Sequence, residues 1–234
     1  MRYSYDMKYI IVLLLLFPIF VSAQPIINEI AWMGSLVEGV DSGQEWRYEW
    51  IELFNEGDTI VLDGWSIELY RDKLDFSIPL SGILYSGEYL VFGASDKITG
   101  VDVSYSNLGG KFMNGGQRVV LRNSSGIVEE FDARDGWFAG SNRDKKTMER
   151  KDSLRDAGDT GNWGTSLLVG GTPGFENTLY GTYGREVSLS FGEPKKDLSR
   201  SSSINLPLYA AASLTALGSV LTALFLRRRL RFPW

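Results

Sequence analysis

The stretch EWIELFNEGDTIVLDGWSIELY, Glu49 to Tyr70, decides the fold. Side chains along a strand alternate between two faces. In EWIELFN this groups Ile51 and Leu53 on one face and Trp50, Glu52 and Phe54 on the other. In LDGWSIELY it turns Trp65, Ile67 and Leu69 inward and Ser66, Glu68 and Tyr70 outward. The interruptions Asn55-Glu56-Gly57-Asp58 and Asp63-Gly64 are turn chemistry, so the stretch predicts strands linked by turns. The recurring carboxylates are expected on a wetted strand face.

The same punctuation continues on both sides. IINEIAW precedes the stretch, and LDFSIPL, EYLVFG, QRVVLRN and GIVEEFD follow it, separated by Ser86-Gly87, Gly109-Gly110, Asn114-Gly115-Gly116 and Asn123-Ser124-Ser125-Gly126. Many short strands at about ten-residue spacing, without an amphipathic helix, predict an all-β antiparallel sandwich or barrel. The plainest hairpin is RVVLRNSSGIVEEFD. Beyond Asp132 the pattern weakens into polar loops around one further strand near Thr147 to Arg150, and Gly171-Thr172-Pro173-Gly174 reads as a turn closing the domain.

Composition excludes several chemistries. The 234-residue chain has no cysteine and no histidine, which removes disulfides, thiolate or imidazole metal sites and Ser-His-Asp triads. Between Gln24 and Ser203 it carries 18 basic and 28 acidic side chains, a net charge of −10. Such a surface lacks the footprint of a nucleic-acid binder. The one basic segment, RDKKTMERKD (Arg143 to Asp152), has interspersed acids and reads as a solvated face.

The ends supply an address. MRYSYDMKYIIVLLLLFPIFVSAQ has Arg2 and Lys8 before an apolar run and small residues ahead of Gln24, the pattern of a signal peptide over residues 1–23. Residues 204–226 are uncharged and long enough to span a bilayer as a transmembrane helix, and Arg227, Arg228 and Arg229 stop them. The positive-inside rule then makes residues 227–234 a cytoplasmic tail and places residues 24–203 outside the cytoplasm. Leu206-Pro207 lacks the Thr-Gly of a sortase signal, and GEPKK is only a faint sorting motif, so a permanent single-pass anchor is the reading. Residues 24–178 are expected to form the domain and 179–203 a flexible polar linker.

In order along the chain, IINEIAW, EWIELFN, LDGWSIEL, FSIPLSGILYSGEYLVFG, LGGKFMNGGQRVVLRNSSGIVEEFD and GTPGFEN resemble the lamin tail domain family. The resemblance covers Pro25 to Thr178 and implies an immunoglobulin-like antiparallel β-sandwich, of a kind found in nuclear lamins and in exported bacterial proteins. It implies a scaffold or adhesion role without catalysis. MGSLVEGVDSGQEWRY (Met33 to Tyr48) is longer than a minimal connection, and Asp135 to Asp159 follows no clear pattern.

Two classes of site are open. Glu49, Glu52, Glu56, Asp58, Asp63 and Glu68 offer carboxylates for an envelope hydrolase, which needs a pair about 5 to 10 Å apart. Asp41, Glu56, Asp58 and Asp63 are hard oxygen ligands, yet no loop has calcium-loop spacing, so no metal or other cofactor is assigned. The better-motivated class is binding. Extending the alternation through EWRYEWIELF aligns Trp46, Tyr48, Trp50, Glu52 and Phe54 in an outward aromatic stripe suited to a sugar or a protein, with the loop residues Trp137 and Phe138 as further candidates. The alternative is that loops cover Trp50 and Phe54. The expected partners are the membrane, through the C-terminal helix, and an envelope protein or polysaccharide.

Overall fold

A computed structural model of the protein describes residues 24–185. The expected signal peptide, transmembrane helix and Arg227 to Arg229 lie outside the described residues. Among those described, no helix is long and apolar enough to cross a membrane.

Among the described residues twelve strands form three sheets, antiparallel except for one pair. They are β1 (Ile26–Ala31), β2 (Trp50–Phe54), β3 (Ile60–Val61), β4 (Ser66–Tyr70), β5 (Leu74–Pro79), β6 (Ile83–Leu84), β7 (Tyr89–Gly93), β8 (Val103–Ser104), β9 (Arg118–Asn123), β10 (Gly126–Asp132), β11 (Met148–Arg150) and β12 (Trp163–Thr165). The large sheet runs β12-β11-β1-β2-β7-β8, the second sheet β10-β9-β4-β5, and β3 pairs with β6. The β7–β8 pair is parallel. The hairpin read from RVVLRNSSGIVEEFD is β9–β10, closing with Asn123 opposite Gly126.

The alternation does its expected work between the sheets. Ile51 and Leu53 of β2, with Ile27, Ile30 and Phe92 beside them, are buried with Ile67, Leu69, Val119 and Leu121 of the second sheet in one core. Burying a side chain of this size contributes about 1.5–3 kcal/mol. Ser66, Glu68 and Tyr70 are only partly buried, as expected for the outward face of β4.

The outer face of β2 differs from the expectation. Trp50 and Glu52 are fully buried there. Residues 170–183 form a strap across that face, bonded to Glu29, Glu52 and Glu149 at successive points and packing Leu179 beside Gly164. The packed chain continues beyond Thr178, since Gly181 N donates to the Lys151 carbonyl and the Tyr183 hydroxyl to Asp159.

The proposed stripe also breaks at its start. Glu45–Tyr48 is a turn of 3-10 helix, with Arg47 N donating to the Gln44 carbonyl, so the strand alternation does not extend back from Trp50. Gly34, at φ 74°, permits this turn. A Cβ there would run into the Glu45 carbonyl, and the left-handed backbone disfavours other residues.

Candidate functional site

The carboxylates of the large sheet are internal anchors. Glu149 of β11 stands opposite Glu29 of β1, and Glu29 opposite Glu52 of β2, so three glutamates lie side by side on one face. All three are fully buried. Such a row persists only if donors meet it. The strap supplies them. Thr172 donates to Glu29 from its backbone N (3.1 Å) and its Oγ1 (2.9 Å), Gly174 N donates to Glu52 (2.5 Å), and Leu179 N donates to Glu149 (2.7 Å). The Thr147 hydroxyl also donates to Glu29.

A β1 irregularity between Ile27 and Glu29 brings Asn28 into the same network. Asn28 Nδ2 donates to Glu52 (2.7 Å) and to Asn177 Oδ1 (3.0 Å), and Asn177 Nδ2 returns a bond to the Arg150 carbonyl (2.8 Å). Glu149 Oε2 is left without a hydrogen-bond partner. Burial, with the charge of Glu149 adding to it, pushes the Glu29 carboxyl well above its ordinary range.

Glu49 is a second anchor at the end of the sandwich. Its Oε2 accepts Lys111 N (2.9 Å) and Phe112 N (3.1 Å), pinning the loop that enters β9. Burial outweighs these bonds and raises its pKa to about 8. Glu68 differs: bonds from Tyr70 and Arg122 overcome its partial burial and hold its pKa below the ordinary value. Among the described residues, no group of three or more carboxylates is arranged to hold a metal ion.

The aromatic candidates separate. Trp50 Nε1 donates to Ser35 Oγ (2.9 Å), so the loop after β1 covers the indole and removes it from any binding face. Glu52 is likewise withdrawn, being bonded to the strap and to Asn28. Tyr48 is half-buried against the core. Trp137 stacks on Trp32 (6.0 Å, 9° between planes) and donates to the Met113 carbonyl (2.7 Å), while Phe138 packs on Phe131 (5.6 Å). Both are half-buried at the rim of the core.

Trp46 alone among these stays exposed, at 45% of its surface, with the Arg47 guanidinium 5.0 Å from its ring centroid and Gly110 beneath it. Trp46→Ala is expected to change stability by less than about 1 kcal/mol, as a surface truncation away from the core. Thermal unfolding checks this, and a larger loss would place the indole in the core.

The anchoring role of Glu29 and Glu149 and the ion pair of Arg150 with Glu129 were not read from sequence. The available signal was a carboxylate in the centre of two strand-like runs, IINEIAW and TMERK, without an adjacent turn. Residues 21–135 match the family model described as Lamin Tail Domain. No curated protein matches the chain.

Proposed function

Because residues 21–135 make the chain a member of the lamin tail domain family, we infer that it is an interaction module, tethered to a membrane and displayed outside the cytoplasm. The family is an immunoglobulin-like interaction domain. The observation that carries the reading is the fate of the carboxylates. Glu29, Glu49, Glu52 and Glu149 all accept hydrogen bonds from the chain's own loops, so they serve the fold. Hydrolysis by a carboxylate pair needs two such groups facing a substrate. The exposed Trp46 with Arg47 over its ring offers instead an apolar edge and a cation for a sugar or a protein side chain. The anchor rests on the uncharged run from Ile204 to Leu226 and the arginines after it.

The test uses the full chain as bait. Solubilised in detergent and incubated with separated envelope protein and polysaccharide fractions, it is expected to retain a component that Trp46→Ala chain does not. Equal retention by both chains, or by neither, overturns the binding face. Alkaline extraction of membranes tests the anchor separately: the chain is expected to stay in the pellet, and release into the supernatant overturns the membrane reading.

A further inference from the structure

The strap is attached in an unusual way for part of a sandwich. Its contacts with the large sheet run from backbone N–H groups, threonine hydroxyls and the Asn177 amide to the glutamate row and to the Asn28, Arg150 and Lys151 carbonyls, without forming a strand ladder. Of its residues between Gly170 and Tyr180 only Asn177 and Leu179 are buried. Its first two residues are glycines, Gly170 (φ 79°) and Gly171 (φ 74°). Adjacent residues that tolerate both signs of φ make a hinge. Gly171 also lies so close to Glu29 and Thr147 that a side chain there would strike both.

We propose that the glutamate row is a recognition site for a looped segment that turns at Thr172 to Phe175, filled by the chain's own strap and equally able to take the strap of a second copy. The site reads donors at fixed spacing: Thr172 at Glu29, Gly174 at Glu52 and Leu179 at Glu149, with Asn177 clasping Asn28 between them. A second copy offers these donors in the same order, so exchange conserves every bond. The difference between closed and exchanged forms is confined to the hinge. Exchange of an identical element is a low-cost route to a dimer. A strap held mainly by polar bonds, with two buried side chains, opens at less cost than a core strand.

The chain has no cysteine, so an introduced pair reports uniquely. A Cβ built on Gly164 lies 3.7 Å from Leu179 Cγ, so cysteines at the two positions stand side by side across the strap. Tagged and untagged full chains carrying Gly164→Cys with Leu179→Cys are mixed under reducing conditions, equilibrated over a range of concentrations, then oxidised. Closure within a chain leaves the chain mass; exchange doubles it and joins position 164 of a tagged chain to 179 of an untagged one. The expected result is a covalent mixed dimer whose share rises with the concentration before oxidation. Closure within single chains at every concentration overturns the proposal. Hydrogen exchange on the unsubstituted chain provides an independent reading: the Thr172, Gly174 and Leu179 amides are expected to exchange faster than those of Ile51 and Leu53. Equal protection would show that the strap does not open, and would also overturn it.

Discussion

Arg150→Ala is expected to destabilise the domain by about 3–5 kcal/mol, the cost of leaving a buried charge without its partner. Arg150 of β11 is only 2% exposed at its side chain, and its Nη1 lies 2.6 Å from Glu129 of β10. The pair joins the large sheet to the second sheet. Glu129 Oε2 also accepts Ile27 N (2.7 Å), while the guanidinium donates to the Ile27, Asp152 and Arg155 carbonyls and lies 5.6 Å from the Trp163 ring centroid. Removing the arginine therefore strips Glu129 of its charge partner and takes a donor from the Ile27 and Arg155 carbonyls, while the Asp152 carbonyl keeps Asn162 Nδ2 and Arg155 N. Burial already raises the Glu129 pKa against the pull of Arg150, so without the arginine that pKa rises further.

Two consequences distinguish this from simple loss of packing. The penalty should be smaller at pH 5 than at pH 8, because protonation neutralises Glu129. Arg150→Met combined with Glu129→Gln should be more stable than Arg150→Met alone, because Gln keeps an acceptor for Ile27 N without the charge. Urea unfolding of the four chains in a double-mutant cycle measures both. Additive losses, or a penalty independent of pH, would show that the pair is not coupled.

What sequence made legible was the set of strands whose pattern is local. Strand β2, strand β4 and the β9–β10 hairpin each contain their own alternation and their own turn, so period 2 finds them. The further strand expected near Thr147 to Arg150 is β11, whereas β12 has no counterpart in the sequence reading; each has three residues, too few for a period, and nothing local shows that β11 buries Glu149 and Arg150. Both strands lie beyond the segment that matches the family. Buried glutamates were illegible for a related reason: Thr172 is 143 residues from Glu29, and Gly174 is 122 from Glu52. Alternation tells which face a side chain takes. It does not tell whether distant chain comes back to cover that face. The aromatic stripe failed locally, where the backbone of Glu45–Tyr48 turns helical just before the strand.

The domain is expected to be most stable near pH 5 and to lose stability steadily as the pH rises towards 8. In the unfolded chain Glu49 titrates at its ordinary value of 4.5, whereas in the folded chain burial holds its pKa at about 8. Glu29 is shifted in the same direction by burial and by Glu149. Between these limits the folded state binds more protons than the unfolded state. The stabilisation is thus complete below the unfolded value and disappears as pH passes the folded one. Each such group contributes a slope of up to about 1.4 kcal/mol per pH unit. The partly exposed carboxylates held low by their partners, Glu68 with Tyr70 and Arg122 and Asp132 with Arg134, act oppositely. Their stabilisation is lost only as the pH falls below the ordinary carboxylate range, which sets the acid side of the optimum. Urea midpoints from pH 4 to pH 9 trace the curve, and a midpoint that is flat or rising between pH 5.5 and 8 would contradict it. Glu49→Gln is the diagnostic variant, because the amide oxygen can still accept Lys111 N and Phe112 N while the proton is removed from the equilibrium. Its midpoint should vary less with pH than that of the native chain, the remaining slope belonging to Glu29 and Glu129.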